Sequence, residues 1–174
     1  MRLFIAIKVR EDAQRSVKAV QDSFRRQRVR GRYTPADDLH ITLAFIGEYG
    51  EPNEVLAAMS DVSFSPFEIT ADRVGHFETT WWAGFSDSSE LDRLARKLRK
   101  SLDDAGIPYD GRKGFRAHVT FVRGKDCVED GKSANRYIAP GRMTVERFCL
   151  FRSNPGKDGM IYTELGAVSS QHGL

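Results

Sequence analysis

Two short stretches of the chain carry the same pattern, in which a histidine is followed two positions later by a threonine. The first stretch is Leu39–Ile46 (LHITLAFI) and the second is Ala117–Val122 (AHVTFV). Both alternate in a way that is typical of a β-strand with one buried face. Any fold for this chain must therefore present two histidine-bearing strands, each with one face against a core.

Side chains at positions i and i+2 of a strand point to the same face. His40 and Thr42 therefore share one face of the first strand, and His118 and Thr120 share one face of the second. The apolar residues of the opposite faces are predicted to point into the core: Ile41, Leu43, Phe45, Val119 and Phe121. Two such strands around one groove bring two imidazoles and two hydroxyls together.

The elements around the two stretches repeat in order as strand, helix, then histidine strand. The first set begins with a strand at Leu3–Val9 and an amphipathic helix at Asp12–Arg28. The second set has a strand at Trp81–Phe85 and a helix from Ser88 or Ser89 to Asp103. The other predicted elements are strands at Phe67–Val74, Thr144–Phe151 and Met160–Leu165, and a short helix at Asn53–Met59.

This mixture predicts an α+β fold made of two pseudo-symmetric lobes, each with a mostly antiparallel sheet and outer helices. The groove between the lobes is the expected site. The 174 residues are enough for one such bilobal domain covering 1–174, and the small polar tail after about residue 166 is predicted to fray.

The charge balance is mildly basic, with 27 Lys and Arg against 24 Asp and Glu and a net charge of +3. That balance does not indicate a histone-like binder. A cluster at Arg25–Arg32 is interpreted as solvated surface. A second cluster surrounds His118 and is predicted to attract phosphate: Arg112, Lys113, Arg116 and Arg123.

Other features exclude some classes of protein. The two cysteines, Cys127 and Cys149, are too few for a disulfide scaffold and lack the spacing of a metal site. The apolar run Leu3–Ile7 is too short for a signal-peptide core or a membrane span. A cytoplasmic, soluble protein is predicted, with no membrane partner.

Two imidazoles beside two hydroxyls suit the hydrolysis of a cyclic phosphodiester. Histidine titrates near neutral pH, so one ring can act as the base for water and the other as the acid for the leaving oxygen. The hydroxyls of Thr42 and Thr120 can donate to the nonbridging oxygens, and Arg123 can neutralise their charge. This chemistry requires no metal and no cofactor, and the near symmetry of the two stretches leaves the acid and base roles open.

The chain resembles the two-histidine (2H) phosphoesterases, and within them the RNA 2′,3′-cyclic phosphodiesterases once called 2′-5′ RNA ligases. The resemblance covers nearly the whole chain. It is carried by the opening Met1–Ile7, by Tyr33-Thr34-Pro35 with Leu39–Gly47, and by Phe115–Arg123. The family often has proline where this chain has Ala117.

The resemblance implies hydrolysis of an RNA 2′,3′-cyclic phosphate to a 2′-phosphate. It implies that His40 is the proton donor and His118 the proton acceptor, with Thr42, Thr120 and Arg123 at the phosphate. The expected partner is an RNA or oligonucleotide with a cyclic phosphate end, tRNA fragments included, and the expected state is a monomer. The alternatives are a 2′-5′ RNA ligase or 2′-5′ phosphodiesterase, and a non-catalytic RNA-end binder.

A few more residues receive minor roles. His76 is predicted at the rim and His172 in a solvated tail. Of the two tryptophans in the strand Trp81–Phe85, Trp82 is assigned to the core because it matches an apolar strand position of the family. The possible groove walls are Tyr33, Phe45 and Phe121.

Overall fold

The computed structural model describes residues 1–86 and 89–172, and its strands form two antiparallel sheets. The strands are β1 (Arg2–Lys8), β2 (Arg32–Tyr33), β3 (His40–Glu48), β4 (Phe67–His76), β5 (Thr80–Phe85), β6 (His118–Arg123), β7 (Gly141–Val145), β8 (Arg147–Gly156) and β9 (Gly159–Ser169). The helices are α1 (Glu11–Arg26), α2 (Pro52–Ser60), α3 (Ser89–Asp104) and α4 (Cys127–Lys132), with a 3₁₀ turn at Ala36–Asp38. The predicted α+β class is confirmed; of the two capping residues proposed for α3, Ser88 lies outside the described residues.

The first sheet has the strand order β3-β1-β8-β9 and the second has the order β2-β6-β5-β4-β7. Every neighbouring pair is antiparallel. The two histidine strands occupy matching places, since β3 is an edge strand and β6 has only the two-residue β2 outside it. The sheets approach each other at β3 and β6, and this junction is where the groove lies.

Helices α1 and α3 each pack on the sheet to which the strand before them does not belong. Helix α1 follows β1 of the first sheet but packs on β7, β4 and β6 of the second. The contact is so close that a side chain at Gly141 of β7 would collide with Ser16 of α1. Helices α2 and α3 pack on the first sheet instead, against β9 and β3. The apolar stripe of α1 is thereby buried against a sheet to which its own preceding strand does not belong.

The two tryptophans of β5 lie opposite to the assignment made from the sequence. Trp81 is buried, with its indole N–H donating to the Cys127 carbonyl at 2.7 Å. Trp82 is only half-buried and lies beside His118, with ring centroids 6.2 Å apart. Alternation along β5 is regular, since Trp81 and Ala83 are both buried, and Trp82 between them points to the opposite face.

By simple alternation Phe45 shares the core face of Ile41 and Leu43, but it is also a possible groove wall, and the structure places it there. The pairing of β1 with β3 shifts register between Leu3 and Phe4 and again between Ile5 and Ala6. Phe45 is therefore half-buried on the groove side, where it packs against the cluster that contains Phe4 and Phe151. Phe121, a possible groove wall, is instead fully buried in the core.

The C-terminal third also differs from the prediction. The single strand expected at Thr144–Phe151 is two strands, β7 and β8, which belong to different sheets and meet at Glu146. Beyond residue 166, β9 continues to Ser169, and the Ser170 amide donates to the Glu146 carbonyl. Among the described residues, no helix combines the length and apolar character needed to span a bilayer.

Candidate active site

The two predicted histidines line one cavity of about 520 Å³ between the sheets. His40 is the first residue of β3 and His118 is the first residue of β6. Thr42 and Thr120 line the same cavity, each two positions further along its strand. The structure thus brings together both copies of the pattern, in the arrangement that alternation predicts.

Each imidazole is held by the backbone two residues before it. His40 Nδ1 lies 2.7 Å from the Asp38 carbonyl, and His118 Nδ1 lies 2.7 Å from the Arg116 carbonyl. A carbonyl only accepts hydrogen bonds, so both Nδ1 atoms carry the proton that is donated. In the neutral rings Nε2 is therefore the free basic nitrogen, and it is the atom available for proton transfer.

Aromatic side chains flank both imidazoles. The ring of Phe4 lies 5.0 Å from His40 and that of Tyr162 lies 5.5 Å from it. Phe77 lies 5.1 Å from His118, on the side where Trp82 also approaches. These rings remove water from the histidines, which disfavours their charged forms.

Burial is the main cause that lowers the pKa of His40 below its usual value. The bond to the Asp38 carbonyl raises this pKa, the Arg123 guanidinium lowers it, the Asp38 carboxylate raises it and His118 lowers it. For His118 the pKa is lowered first by burial, raised by the bond to the Arg116 carbonyl, and lowered by the Arg116 charge. Both rings therefore have a backbone bond and an arginine that lowers the pKa, and they differ in the Asp38 carboxylate, which acts on His40 alone.

Two arginines line the cavity beside Thr120. Arg123 ends β6 and pairs across the ladder with Arg32 of β2. Neither guanidinium forms an ion pair with a carboxylate in the part of the chain that the structure describes. Their positive charge is therefore available to an anion in the cavity.

A buried glutamine positions the segment that leads into β3. The Gln21 side chain on α1 donates to the carbonyls of Thr34 and Phe121, at 2.8 and 2.9 Å. Thr34 in turn donates through its hydroxyl to the Thr120 carbonyl at 3.1 Å. The sequence analysis missed Gln21, although a polar residue within the apolar stripe of Val17, Val20 and Phe24 is the signal that marks it.

A second cavity of about 270 Å³ adjoins the first, with which it shares Thr42 and His118. Its other lining residues come from β3, α3 and the loop before β6: Phe45, Arg99, Asp110, Arg112, Lys113, Gly114, Phe115 and Arg116. The Arg112 guanidinium holds the pKa of the Asp110 carboxyl at about 2. The second basic cluster of the sequence is thus divided between this cavity and Arg123 in the first.

Of the remaining sequence candidates, some lie apart from the two histidines and others line the first cavity with them. His76 is exposed at the end of β4, with its ring 4.8 Å from Trp81. Within the Arg25–Arg32 cluster, Arg30 is paired with Asp130 at 2.9 Å and Arg32 lines the cavity. Tyr33 also lines the cavity. Over the described ranges, no group of three or more His, Cys, Asp and Glu residues is placed to hold a metal ion.

Comparison with known proteins gives the family. Residues 9–157 match the model of the 2′-5′ RNA ligase superfamily. A relative from Archaeoglobus fulgidus named RNA 2′,3′-cyclic phosphodiesterase is 33% identical over 176 residues, which cover 95% of this chain and 98% of the relative.

Crystal structures show the same fold. A protein of Thermus thermophilus matches with a TM-score of 0.79 and 28% identity, over 99% of this chain and 100% of that one. Escherichia coli LigT in its apo form matches with a TM-score of 0.79 and 25% identity, over 98% of each chain. The expected family and the bilobal fold are confirmed by these matches: the chain belongs to the 2′-5′ RNA ligase superfamily.

Proposed function

We propose that this protein hydrolyses the 2′,3′-cyclic phosphodiester at an RNA end to a 2′-phosphate, by acid and base catalysis with His40 and His118. The observation that carries the proposal is the pair of imidazoles in one cavity, each with Nδ1 bound to a backbone carbonyl and Nε2 free. The family supports the substrate, because relatives that match most of the chain are named RNA 2′,3′-cyclic phosphodiesterases.

The proposed reaction is an in-line displacement at phosphorus. His118 Nε2 takes a proton from water, and the water oxygen forms a bond to phosphorus. The bond from phosphorus to O3′ breaks, and His40 Nε2 gives its proton to O3′. The hydroxyls of Thr42 and Thr120 donate to the nonbridging oxygens, and Arg123 neutralises their charge.

The charges around the two rings support this division of roles. Burial lowers the pKa of both histidines, and an arginine lowers it further in each case, Arg123 at His40 and Arg116 at His118. Only His40 also has a carboxylate, Asp38, that raises its pKa. The Asp38 carboxylate favours a protonated His40, which suits an acid. The Arg116 guanidinium favours a neutral His118, which suits a base.

Substrate binding also favours the protonated form of His40. A cyclic phosphodiester carries one negative charge, which offsets the Arg123 charge that lowers the pKa of His40 in the free protein. The Asp38 carboxylate keeps its effect. His40 therefore gains a proton more readily in the complex than in the free protein.

Turnover in the presence of a chelator tests the proposal. We expect purified protein in excess EDTA to convert a short RNA with a 2′,3′-cyclic phosphate into a product whose phosphorus NMR spectrum is that of a 2′-monophosphate. Binding of the RNA end without turnover would favour the non-catalytic binder instead. A strict need for added divalent metal would contradict the two-histidine mechanism.

Finer points stay predictions of the sequence. They are the use of tRNA fragments, the monomeric state and the cytoplasmic location. The chelator assay does not depend on any of them.

A further inference from the structure

The second cavity lies directly against the reacting groups. His118 and Thr42 line both cavities, whereas His40 lines only the first of the two. An oxygen that gives its proton to His118 must lie within reach of this ring, which both cavities share. One water molecule needs about 10–15 Å³ of cavity space, so the second cavity, at about 270 Å³, is far larger than hydrolysis requires.

The free charge of this cavity is positive. Arg112 is paired with Asp110 through two bonds of 3.1 and 3.0 Å, so this pair adds little net charge. Arg99 donates to the Leu43 carbonyl at 3.1 Å. Lys113 and Arg116 form no ion pair with a carboxylate in the described part of the chain. Unpaired cations at the mouth of an active site suit a phosphate group.

Aromatic rings accompany these cations. Phe45 and Phe115 are half-buried in the wall of the cavity. The Arg116 guanidinium lies 5.7 Å from the centre of the exposed Phe77 ring, which itself touches His118. Aromatic rings interleaved with cations are typical of single-stranded nucleic acid sites, because every base has a face that stacks.

We propose that the second cavity is a subsite for one further nucleotide unit of RNA beside the terminal cyclic phosphate. Lys113 and Arg116 bind its phosphodiester, and Phe45 and Phe115 contact its base. The proposal rests on the proposed function. The unit belongs either to the substrate strand or to a second strand that presents a 5′-hydroxyl to the phosphate.

The opposite end of the groove is the competing location. There, a basic hollow shares Arg32 and Arg123 with the first cavity and is also lined by Lys125 and Asp126. Its lining includes no aromatic ring and neither of the two histidines. A base has no stacking surface in that hollow, so the second cavity is the better nucleotide site.

Three matched lysine variants test the assignment. Lys113→Ala changes the second cavity, Lys125→Ala changes the competing hollow, and Lys18→Ala removes an exposed charge of α1. Each is assayed for kcat/KM with adenosine 2′,3′-cyclic phosphate and with a five-nucleotide RNA that carries the same end. We expect Lys113→Ala alone to lower the ratio of oligonucleotide to mononucleotide kcat/KM, by roughly 3- to 10-fold.

Salt dependence gives an independent readout. Loss of one phosphate contact with single-stranded RNA reduces the slope of log(kcat/KM) against log salt by about 0.7. We expect this reduction in Lys113→Ala for the oligonucleotide and not in Lys18→Ala.

A second assay distinguishes a nucleotide of the substrate strand from a nucleotide of a second strand. Adenosine 2′,3′-cyclic phosphate is mixed with a separate RNA that has a 5′-hydroxyl. If the subsite holds this second strand, its 5′-oxygen forms the new bond to phosphorus, its proton goes to His118, and O3′ leaves with a proton from His40. The product is then a 2′-5′ phosphodiester, and Lys113→Ala lowers its yield relative to the 2′-phosphate.

An effect of Lys113→Ala in either assay supports the subsite, and the assay in which it occurs names the source. The proposal is overturned if wild type, Lys113→Ala and Lys18→Ala have equal ratios of oligonucleotide to mononucleotide kcat/KM and equal ratios of 2′-5′ phosphodiester to 2′-phosphate. It is also overturned if Lys125→Ala, rather than Lys113→Ala, loses the preference for the oligonucleotide, because the RNA would then bind in the competing hollow. Failure of the proposed function is distinct, because the wild type would then not turn over the mononucleotide.

Discussion

The surroundings of His40 and His118 are alike in geometry and differ in charge, because a carboxylate acts on His40 alone. Each ring follows a carbonyl that binds its Nδ1, and each is flanked by two aromatic rings. The residue that supplies the carbonyl is Asp38 in one case and Arg116 in the other. The repeated backbone makes two equivalent bases, and the side chains beside them make the two unequal.

The comparison extends to the other charged and titratable groups around each ring. Around His40 these are Arg123 and His118 from β6 and Tyr162 from β9. Lys8 and Asp37 also lie there, in a small pocket that Phe4 and Phe151 line beside His40. Around His118 the second cavity adds Arg99, Lys113 and the paired Asp110 and Arg112. Cations surround the proposed base, whereas carboxylates and cations are mixed around the proposed acid.

Removing either imidazole is the largest expected effect. His40→Ala and His118→Ala should each lower kcat by roughly 10²- to 10⁴-fold, because each removes one proton transfer. Steady-state turnover of a cyclic-phosphate RNA measures the loss, and retention of the fold is checked by circular dichroism. Because the two rings act in one displacement, the double variant should lose less than the product of the single losses. Full activity in either single variant would contradict the two-histidine mechanism.

The threonines should give an intermediate effect. Thr42→Val and Thr120→Val keep the shape of each side chain and remove one donor to the phosphate. A hydrogen bond to a charged group contributes about 1.5–3 kcal/mol, so we expect kcat/KM to fall roughly 10- to 100-fold. Thr120→Ser is the matched control that keeps the hydroxyl, and it should retain more activity than Thr120→Val. Equal losses in both Thr120 variants would assign the residue to packing.

The smallest effect is also the sharpest test of the comparison. Asp38→Asn removes the carboxylate that raises the pKa of His40, so that pKa falls. Arg116→Gln removes the guanidinium that lowers the pKa of His118, so that pKa rises. If His40 is the acid, its lower pKa moves the alkaline limb of the pH–rate profile to lower pH. If His118 is the base, its higher pKa moves the acidic limb to higher pH. The bell-shaped pH–rate profile should therefore become narrower in both variants.

The reverse assignment gives the opposite result. With His40 as base and His118 as acid, Asp38→Asn would move the acidic limb down and Arg116→Gln would move the alkaline limb up. The pH–rate profiles of both variants would then become broader. Profiles of kcat/KM over the full pH range report the pKa values of the free enzyme and distinguish the two cases. An unchanged profile in both variants would show that neither charge sets the roles.

Much of the site could be predicted because it depends on local alternation. His-x-Thr places both side chains on one face of a strand whatever surrounds it, and the structure has both pairs in one cavity. Gln21 was within reach of the same reasoning, as a polar residue in an apolar stripe. The contribution of Asp38 was not, since it depends on a turn that brings its carbonyl and carboxylate beside the ring two positions later.

The errors of the fold prediction have separate causes. Trp82 was assigned to the core from the family resemblance, whereas the regular alternation of β5 buries Trp81 and points Trp82 to the groove. Phe45 faces the groove because the pairing of β3 with β1 contains register shifts. Strict alternation does not contain that information, since a bulge depends on the partner strand. The division of Thr144–Phe151 into β7 and β8 has another cause, because the chain changes sheets at one residue without any interruption in its apolar character.

The packing of α1 on the opposite sheet has a mechanical consequence for the groove. Helix α1 ties the chain that leaves one wall to the back of the other, and Gln21 on this helix holds the segment between them. The two sheets also share one core cluster, with Ile5 and Leu43 from the first sheet and Val119 and Phe121 from the second, so drawing the walls apart would expose this core. Widening the groove and unfolding the core are thus the same event, so the spacing of the two imidazoles is set by the cooperativity of folding rather than by a hinge.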